Sequence, residues 1–384
     1  MPSPYEDREQ TEVKHRVLER YLEAFIPIVG GWAEDITYID CLAGPWESVD
    51  PKLDDTSFSR AIKTIRSTRE ILRQRGKGPS IRCLFIEKEP SRYARLKQYC
   101  DQVTDIEVHP MNWDFMEHVD DVVRFALERG KGSFPFIFLD PTGWEQLDIA
   151  LVSPILRLNP GEVLINLMTS WITRFLSDES KHWDRLVGSD LSKLVSLLGE
   201  EREDQLVRSY AAKVQQTGQF SYVCTLPILK ADQDTFHYHM IYGTRHQRGV
   251  EVFKDVEKTV IPFMHETRAH AQQRRRFANT GQYSFLPPGD LYRESRFSRF
   301  RQRNVGQARE DIRALLESKT SIDYETAWFK AMQYSAVSER DLREWLESWR
   351  TEGSLKIVNL LPTQKVLSKG RNHILQWIAN RREP

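Results

Sequence analysis

A repeated unit constrains this chain most: a short apolar run that ends in or beside an acid, followed by a stretch with helical periodicity. The runs are ITYIDCLAG (Ile36–Gly44), IRCLFIEKE (Ile81–Glu89), the weaker IEVHPMNWDF, FPFIFLDPTGWEQL (Phe134–Leu147) and EVLINLM (Glu162–Met168). Each is short and bounded by turn-formers, as buried strands are. Helices are expected between them at 59–75, 92–100 and 119–129. A further helix over 11–29 places Val17, Leu18, Tyr21, Leu22 and Phe25 on one face and ends at Gly30-Gly31. Strand alternating with helix means a parallel sheet covered on both faces. Right-handed crossovers restrict that sheet to a doubly wound, Rossmann-like α/β arrangement. SYVCTLPIL and TFHYHMIYGT read as paired strands that close the sheet. Residues 170–215 look helical and polar enough for a surface insertion.

The acids at the strand ends point to a site. Asp40, Glu87, Asp114 and Asp140 follow successive strands, and in a parallel sheet those ends line one crevice. A lone acid there is commonly a helix N-cap. Four in register indicate a ligand, and a carboxylate after the second strand suits ribose hydroxyls. Gly44 leaves bare backbone where a Cβ would collide. The chain has no GxxxxGK[ST], which excludes a P-loop, and no GxGxxG. Its first loop, D-C-L-A-G-P-W, suits a dinucleotide pyrophosphate poorly. S-adenosylmethionine, which has no phosphate, fits better.

Lysine plus arginine equals aspartate plus glutamate at 55 each, so net charge names no partner. Between His265 and Asn304, however, nine arginines meet three acids, with Phe277, Tyr283, Phe285, Tyr292, Phe297 and Phe300 interleaved. That mixture suits nucleic acid, with arginine on phosphate and rings on bases. Arg274, Arg275, Arg276, Arg296, Arg299 and Arg301 are the expected contacts; the alternative is a solvated linker. The cysteines, Cys41, Cys83, Cys100 and Cys224, show no CxxC and no zinc spacing, and this usage suits a reducing cytoplasm. No metal site is expected, since His237 and His239 lack a third ligand at proper spacing. No apolar run approaches a membrane span, and MPSPYEDREQTEVKHR lacks the apolar core of a secretory signal.

From 305 to 384 the pattern is a compact module: AREDIRALLES, YETAWFKAMQ and SERDLREWLESWR as helices, then SLKIVNLLPTQKVL as two short strands. Three helices and a hairpin form the winged-helix pattern, related to the helix-turn-helix. The expected organisation is therefore a domain over 1–262 with its helical insertion, a basic aromatic-rich connector over 263–304, and a winged helix-turn-helix over 305–384.

YIDCLAGPW, then LFIEKE, then FIFLDPTGW resemble the three-Cys-motif partner protein family, TcmP, across roughly the first 260 residues. The Lys14-His15 start and YGTRHQRG near Tyr242 look similar too, and the C-terminal module resembles the winged helix appended to such proteins. The resemblance implies a class I S-adenosylmethionine-dependent methyltransferase acting on a nucleobase amino group, DNA or RNA, and a three-cysteine-motif protein as partner. It implies a cofactor loop at Asp40, Leu42, Ala43 and Gly44, ribose on Glu87 and adenine at Asp114. It implies a catalytic loop at Asp140, Pro141, Thr142 and Gly143, read against Asp/Asn-Pro-Pro-aromatic, with Trp144 one place beyond the usual stacking position. Trp46 replaces a customary second glycine. The alternatives are a non-catalytic protein of this fold that binds nucleic acid or a partner, and, more distantly, a metal-dependent nucleotide-cleaving enzyme.

Overall fold

Central strands are buried on both faces while one edge strand is half exposed, and the strand order makes the distinction. The computed structural model describes residues 4–45, 48, 50–175, 183–188, 191–282, 295–360 and 367–378. The chain divides into two compact units, Met1–Tyr292 and Arg293–Pro384. In the first, β1 (Asp35–Asp40), β2 (Ser80–Ile86), β3 (Glu107–Met111), β4 (Ser133–Leu139), β5 (Glu162–Leu167), β6 (Tyr222–Leu229) and β7 (Phe236–Thr244) form one sheet in the order 3-2-1-4-5-7-6. Strand β7 runs antiparallel to both neighbours, and the β1, β2, β3, β4 and β5 pairings are parallel. This is the class I methyltransferase fold. Strands β1 and β5 are buried along their whole length, whereas the edge strand β3 is half exposed. That explains why its sequence signal is the weakest of the five.

The helices are α1 (Glu9–Val29), α2 (Ser57–Gln74), α3 (Pro90–Cys100), α4 (Val119–Leu127), α5 (Ile149–Leu156), α6 (Thr169–Phe175), α7 (Asp184–Val187), α8 (Leu191–Ser196), α9 (Gly199–Gly218) and α10 (Gln247–Thr280). Local chemistry starts several of them. The Thr56 hydroxyl caps α2 by accepting from Ser59 N at 3.4 Å, and Glu89 caps α3 ahead of Pro90. On one face of the sheet Tyr21 stacks on Phe136 with ring centroids 5.0 Å apart, and Phe25 joins them. On the other face Ile39, Leu84, Ile137 and Ile165 meet apolar residues of α4, α5 and α9.

Two expectations need correction. The segment over 170–215 is no surface insertion, because α9 buries Leu206, Val207, Tyr210 and Val214 in that second face. Its exterior polarity is that of any amphipathic covering helix. The stretch over 263–304 is not one connector either. Its first part, through Thr280, completes α10, and its last part begins a helix of the second unit. Tyr283, Phe285 and Tyr292 lie outside the described residues.

YGTRHQRG has a structural task. Arg245 lies 4.4 Å from the Phe220 ring centroid and donates to the carbonyl oxygens of Leu156, Leu158, Gly161 and Gly218 at 2.5–3.1 Å. It satisfies orphan acceptors where α5 and α9 end.

The second unit contains α11 (Arg296–Lys319), β8 (Ser321–Asp323), α12 (Tyr324–Met332), α13 (Glu339–Thr351), β9 (Leu355–Val358) and β10 (Ile374–Trp377). Its three strands form an antiparallel sheet in the order β8-β10-β9. Ser338 and Asp341 make the reciprocal capping box at the start of α13, and Leu342, Trp345, Leu346 and Trp349 are buried.

Candidate active site at the carboxyl ends of the strands

The chain winds outward in one direction from β1 and in the other from β4, so a crevice opens where these two strands end. Beyond β1 the loop keeps pairing: Cys41 N donates to Phe138 O at 3.1 Å and Ala43 N to Ile86 O at 2.7 Å. Gly44 is therefore carried alongside β2. An ideal Cβ there would lie 1.6 Å from Glu87 Oε2. Only glycine lets that carboxylate lie over the loop. Glu87 itself extends the ladder, donating its N–H to Met111 O at 3.1 Å, while its Oε1 accepts from Glu89 N at 2.7 Å. Among the described residues no hydrogen bond reaches its Oε2.

The other acids behave differently. Asp40 is fully buried and accepts from Ser57 Oγ at 2.6 Å and Leu42 N at 3.3 Å. Burial pushes its pKa up to about 7, with the Asp140 charge adding to the rise against the two hydrogen bonds. Asp40 thus fastens the start of α2 to the end of β1 and does not line the cleft. Asp114 caps a 3-10 turn through Met116 N at 3.0 Å, and its other oxygen lies 3.6 Å from Lys88 Nζ.

Asp140 is the most constrained of the four. Its Oδ2 accepts from Lys14 Nζ at 2.5 Å and its Oδ1 from Asn166 Nδ2 at 2.7 Å. The Lys14 side chain is 9% exposed and that of Asp140 17%. Burial opposes the charge on Lys14, but Asp140, with Tyr238 and Asp40 adding to it, outweighs burial and the pKa is raised. Lys14 also lies 5.4 Å from the centroid of the Tyr238 ring. A cleft of about 410 Å³ opens here, lined among others by Lys14, Gly44, Asp140, Thr142, Asn166 and His237. His237, whose Nδ1 is 3.2 Å from Ser170 Oγ, has its pKa lowered to about 4, chiefly by burial. It is a neutral imidazole at pH 7, able to accept a hydrogen bond.

The structure thus gathers Leu42, Gly44, Asp140, Pro141 and Thr142 on one cleft, with Glu87 against Gly44. Ala43 is buried in the ladder. A Cβ on Gly143 would meet nothing within 4 Å, so no contact demands glycine there. Trp144, the expected stacking ring, is instead a core residue: it is 7% exposed and packs on Trp183 with centroids 5.0 Å apart. Trp46 lies outside the described residues. His239 is buried, with Nδ1 3.2 Å from Thr169 Oγ1. Among the described residues no group of three His, Cys, Asp or Glu side chains could hold a metal ion.

Lys14 and Asn166 carried no role in the sequence reading, although both left a signal. Lys14 stands one turn before Leu18 on the buried stripe of α1, where an apolar residue belongs. Asn166 interrupts the otherwise apolar run VLINL of a fully buried strand. A polar residue in such a place needs a partner.

The expected nucleic-acid contacts are scattered and partly neutralised. In the first unit Arg274 pairs with Glu9 at 2.6 Å and Arg275 with Asp7 at 3.0 Å, so both hold the start of α1. Arg276 is exposed. In the second unit Arg296 is buried, Arg299 is exposed, and Arg301 pairs with Asp341 at 2.6 Å. The four cysteines are buried, and none of them is in a disulfide. No described helix is long and apolar enough to cross a membrane.

The chain matches no family model. It matches no curated protein either. Among solved structures, protein LPL1258 from Legionella pneumophila is 11% identical over 66% of this chain and 92% of its own, with a TM-score of 0.37. Human methyltransferase-like protein 13 in complex with SAH is 10% identical over 65% and 91%, TM-score 0.32. Loganic acid methyltransferase with SAH is 10% identical over 72% and 92%, TM-score 0.31. Likeness at this level assigns no reaction or substrate to the chain.

Proposed function

We propose that this protein is an S-adenosylmethionine-dependent methyltransferase whose target is an amino group on a nucleobase. The observation that carries the reading is the Gly44–Glu87 cradle at the switch point of the sheet, where a Cβ would fall 1.6 Å from the carboxylate. Glycine there is explained by a carboxylate that must lie close to the loop and present an oxygen outward. Glu87 is the residue to hold the ribose hydroxyls, the 42–44 loop offers bare backbone, and Asp114 would turn the oxygen that faces Lys88 toward the adenine amino group. When bound, the cofactor supplies an activated methyl group. Asp140, held in place by Lys14 and Asn166, accepts from the target amino group and orients its lone pair toward the methyl. Neutral His237 lines the same cleft as a hydrogen-bond acceptor, and the proton that the amino group sheds passes to solvent.

Nucleic acid as the carrier of that base rests on the exposed Arg276 and Arg299, and on the second unit. Its helix-strand-helix-helix-strand-strand order supports reading it as a winged helix. The charges of α13 pair internally, Arg340 with Glu344, Arg343 with Glu339 and Arg350 with Glu347, which disfavours that helix as a groove reader. A three-cysteine-motif protein remains the proposed partner. One observation favours the non-catalytic reading: Lys14 already occupies Asp140. Calorimetric titration with S-adenosylmethionine and S-adenosylhomocysteine decides first. Micromolar binding lost in Glu87→Ala supports the enzyme. The absence of binding at millimolar ligand, with single-stranded nucleic acid present or absent, leaves the fold as a scaffold.

A further inference from the structure

Asp140 is bracketed by two donors, and the bracket leaves an atom over. With Asn166 Nδ2 on Asp140 Oδ1 at 2.7 Å, the amide cannot be turned without setting two acceptors face to face. Asn166 Oδ1 is then fixed, buried, and without a hydrogen-bond partner among the described residues. The residue is 1% exposed, yet it lines the cleft. Folded proteins rarely leave such an acceptor unmatched. Apolar packing does not explain it, since its same-face neighbours are Leu164 in β5 and Met240 opposite in β7, and an aliphatic side chain would complete that surface. On the other side of Asp140, the Lys14 ammonium has three donors. Only its bond to Asp140 is accounted for by hydrogen bonding among the described residues.

We infer that Asn166 is a specificity-determining residue: its Oδ1 accepts an N–H from the substrate's amino group beside Asp140, while Lys14 donates to an acceptor next to that amino group. The inference rests on the methyltransferase reading of the cleft. The chemistry recognised is an amino group on a ring carbon flanked by an unprotonated ring nitrogen, a donor beside an acceptor. A ligand with the acceptor alone leaves Asn166 Oδ1 facing no hydrogen. Sites built to bond an N–H reject analogues that lack it far more strongly than apolar pockets reject a missing methylene.

The test uses the full-length protein saturated with S-adenosylhomocysteine and two nucleoside pairs, adenosine against purine riboside and cytidine against pyrimidin-2-one riboside. The second member of each pair lacks only the amino group. The expected result is a preference of about tenfold or more for at least one amino nucleoside. That preference should disappear in Asn166→Ser and Asn166→Leu while their S-adenosylhomocysteine affinity stays that of the wild type. Two substitutions of opposite polarity guard against one that fails to fold. A preference that persists in a folded variant overturns the inference, as does equal or undetectable binding of both pairs to the loaded wild type. Loss of S-adenosylhomocysteine affinity in the variants also overturns it, by moving Asn166 to the cofactor side. If the wild type binds no S-adenosylhomocysteine, the methyltransferase reading itself fails and takes this inference with it.

Discussion

Gly44→Ala offers the sharpest test of how the cradle works. The new methyl would lie 1.6 Å from Glu87 Oε2 and 2.7 Å from its Cδ. Non-bonded carbon atoms settle at about 3.5–4.0 Å, so the carboxylate must withdraw by about 2 Å. Withdrawal breaks the 2.7 Å bond from Glu89 N, a bond to a charged acceptor. Such bonds contribute about 1.5–3 kcal/mol, but the freed end of a flexible side chain can reach water, so the stability lost should be only about 1 kcal/mol. The ligand loses more. With Glu87 displaced, one charge-assisted bond to ribose is gone, about tenfold to a hundredfold in affinity. Because alanine acts through Glu87, the two residues must be coupled: in a Glu87→Ala background, Gly44→Ala has nothing left to displace. The assay is calorimetric titration with S-adenosylhomocysteine across wild type, both single variants and the double, beside urea denaturation of each. Coupling equal to the whole single-variant effect is expected. Effects that add within about 0.5 kcal/mol would refute the argument.

Three further outcomes follow from the same geometry. Lys14→Met leaves a largely buried Asp140 carboxylate without its cation and should cost about 3–5 kcal/mol in urea denaturation, much of it recovered in Lys14→Met/Asp140→Asn; a loss below about 1 kcal/mol would show that the pair does not support the fold. Asp40 keeps its proton up to about pH 7 when folded, well above its unfolded pKa. Its contribution is therefore fully present below the ordinary aspartate pKa and lost as pH rises from there through about 7, on the order of 4 kcal/mol. Asp40→Asn should flatten that slope, and parallel profiles for wild type and variant would show the carboxyl ionised throughout. Arg276→Glu should weaken single-stranded oligonucleotide binding and its salt dependence without lowering the melting temperature, whereas reversal at Arg274 or Arg275 should lower it by freeing the start of α1; unchanged oligonucleotide affinity in Arg276→Glu removes this arginine from the interface.

Much of this was legible in the chain itself, because strand burial and helical periodicity are local. ITYID, RCLFI, FIFL and EVLIN read as strands since each is covered on both faces, and a one-sided helix such as 11–29 writes its own stripe. The glycine at 44 and the acid at 87 were legible for the same reason, lying at the ends of two such runs. What the sequence misjudged depended on neighbours far along the chain. Trp144 looks like an exposed ring after a strand, yet Trp183 covers it. The arginines at 274 and 275 look like a nucleic-acid patch until the acids at 7 and 9 are folded onto them. The Lys14–Asp140–Asn166 bracket joins residues 126 and 26 positions apart. Sequence alone could mark Lys14 and Asn166 as polar intruders on buried faces. Only the packing of α1 along β4, with Tyr21 and Phe25 on Phe136 and Lys14 beyond the strand's end, determined that they share one carboxylate, because a hydrogen bond depends on distance in space and not along the chain.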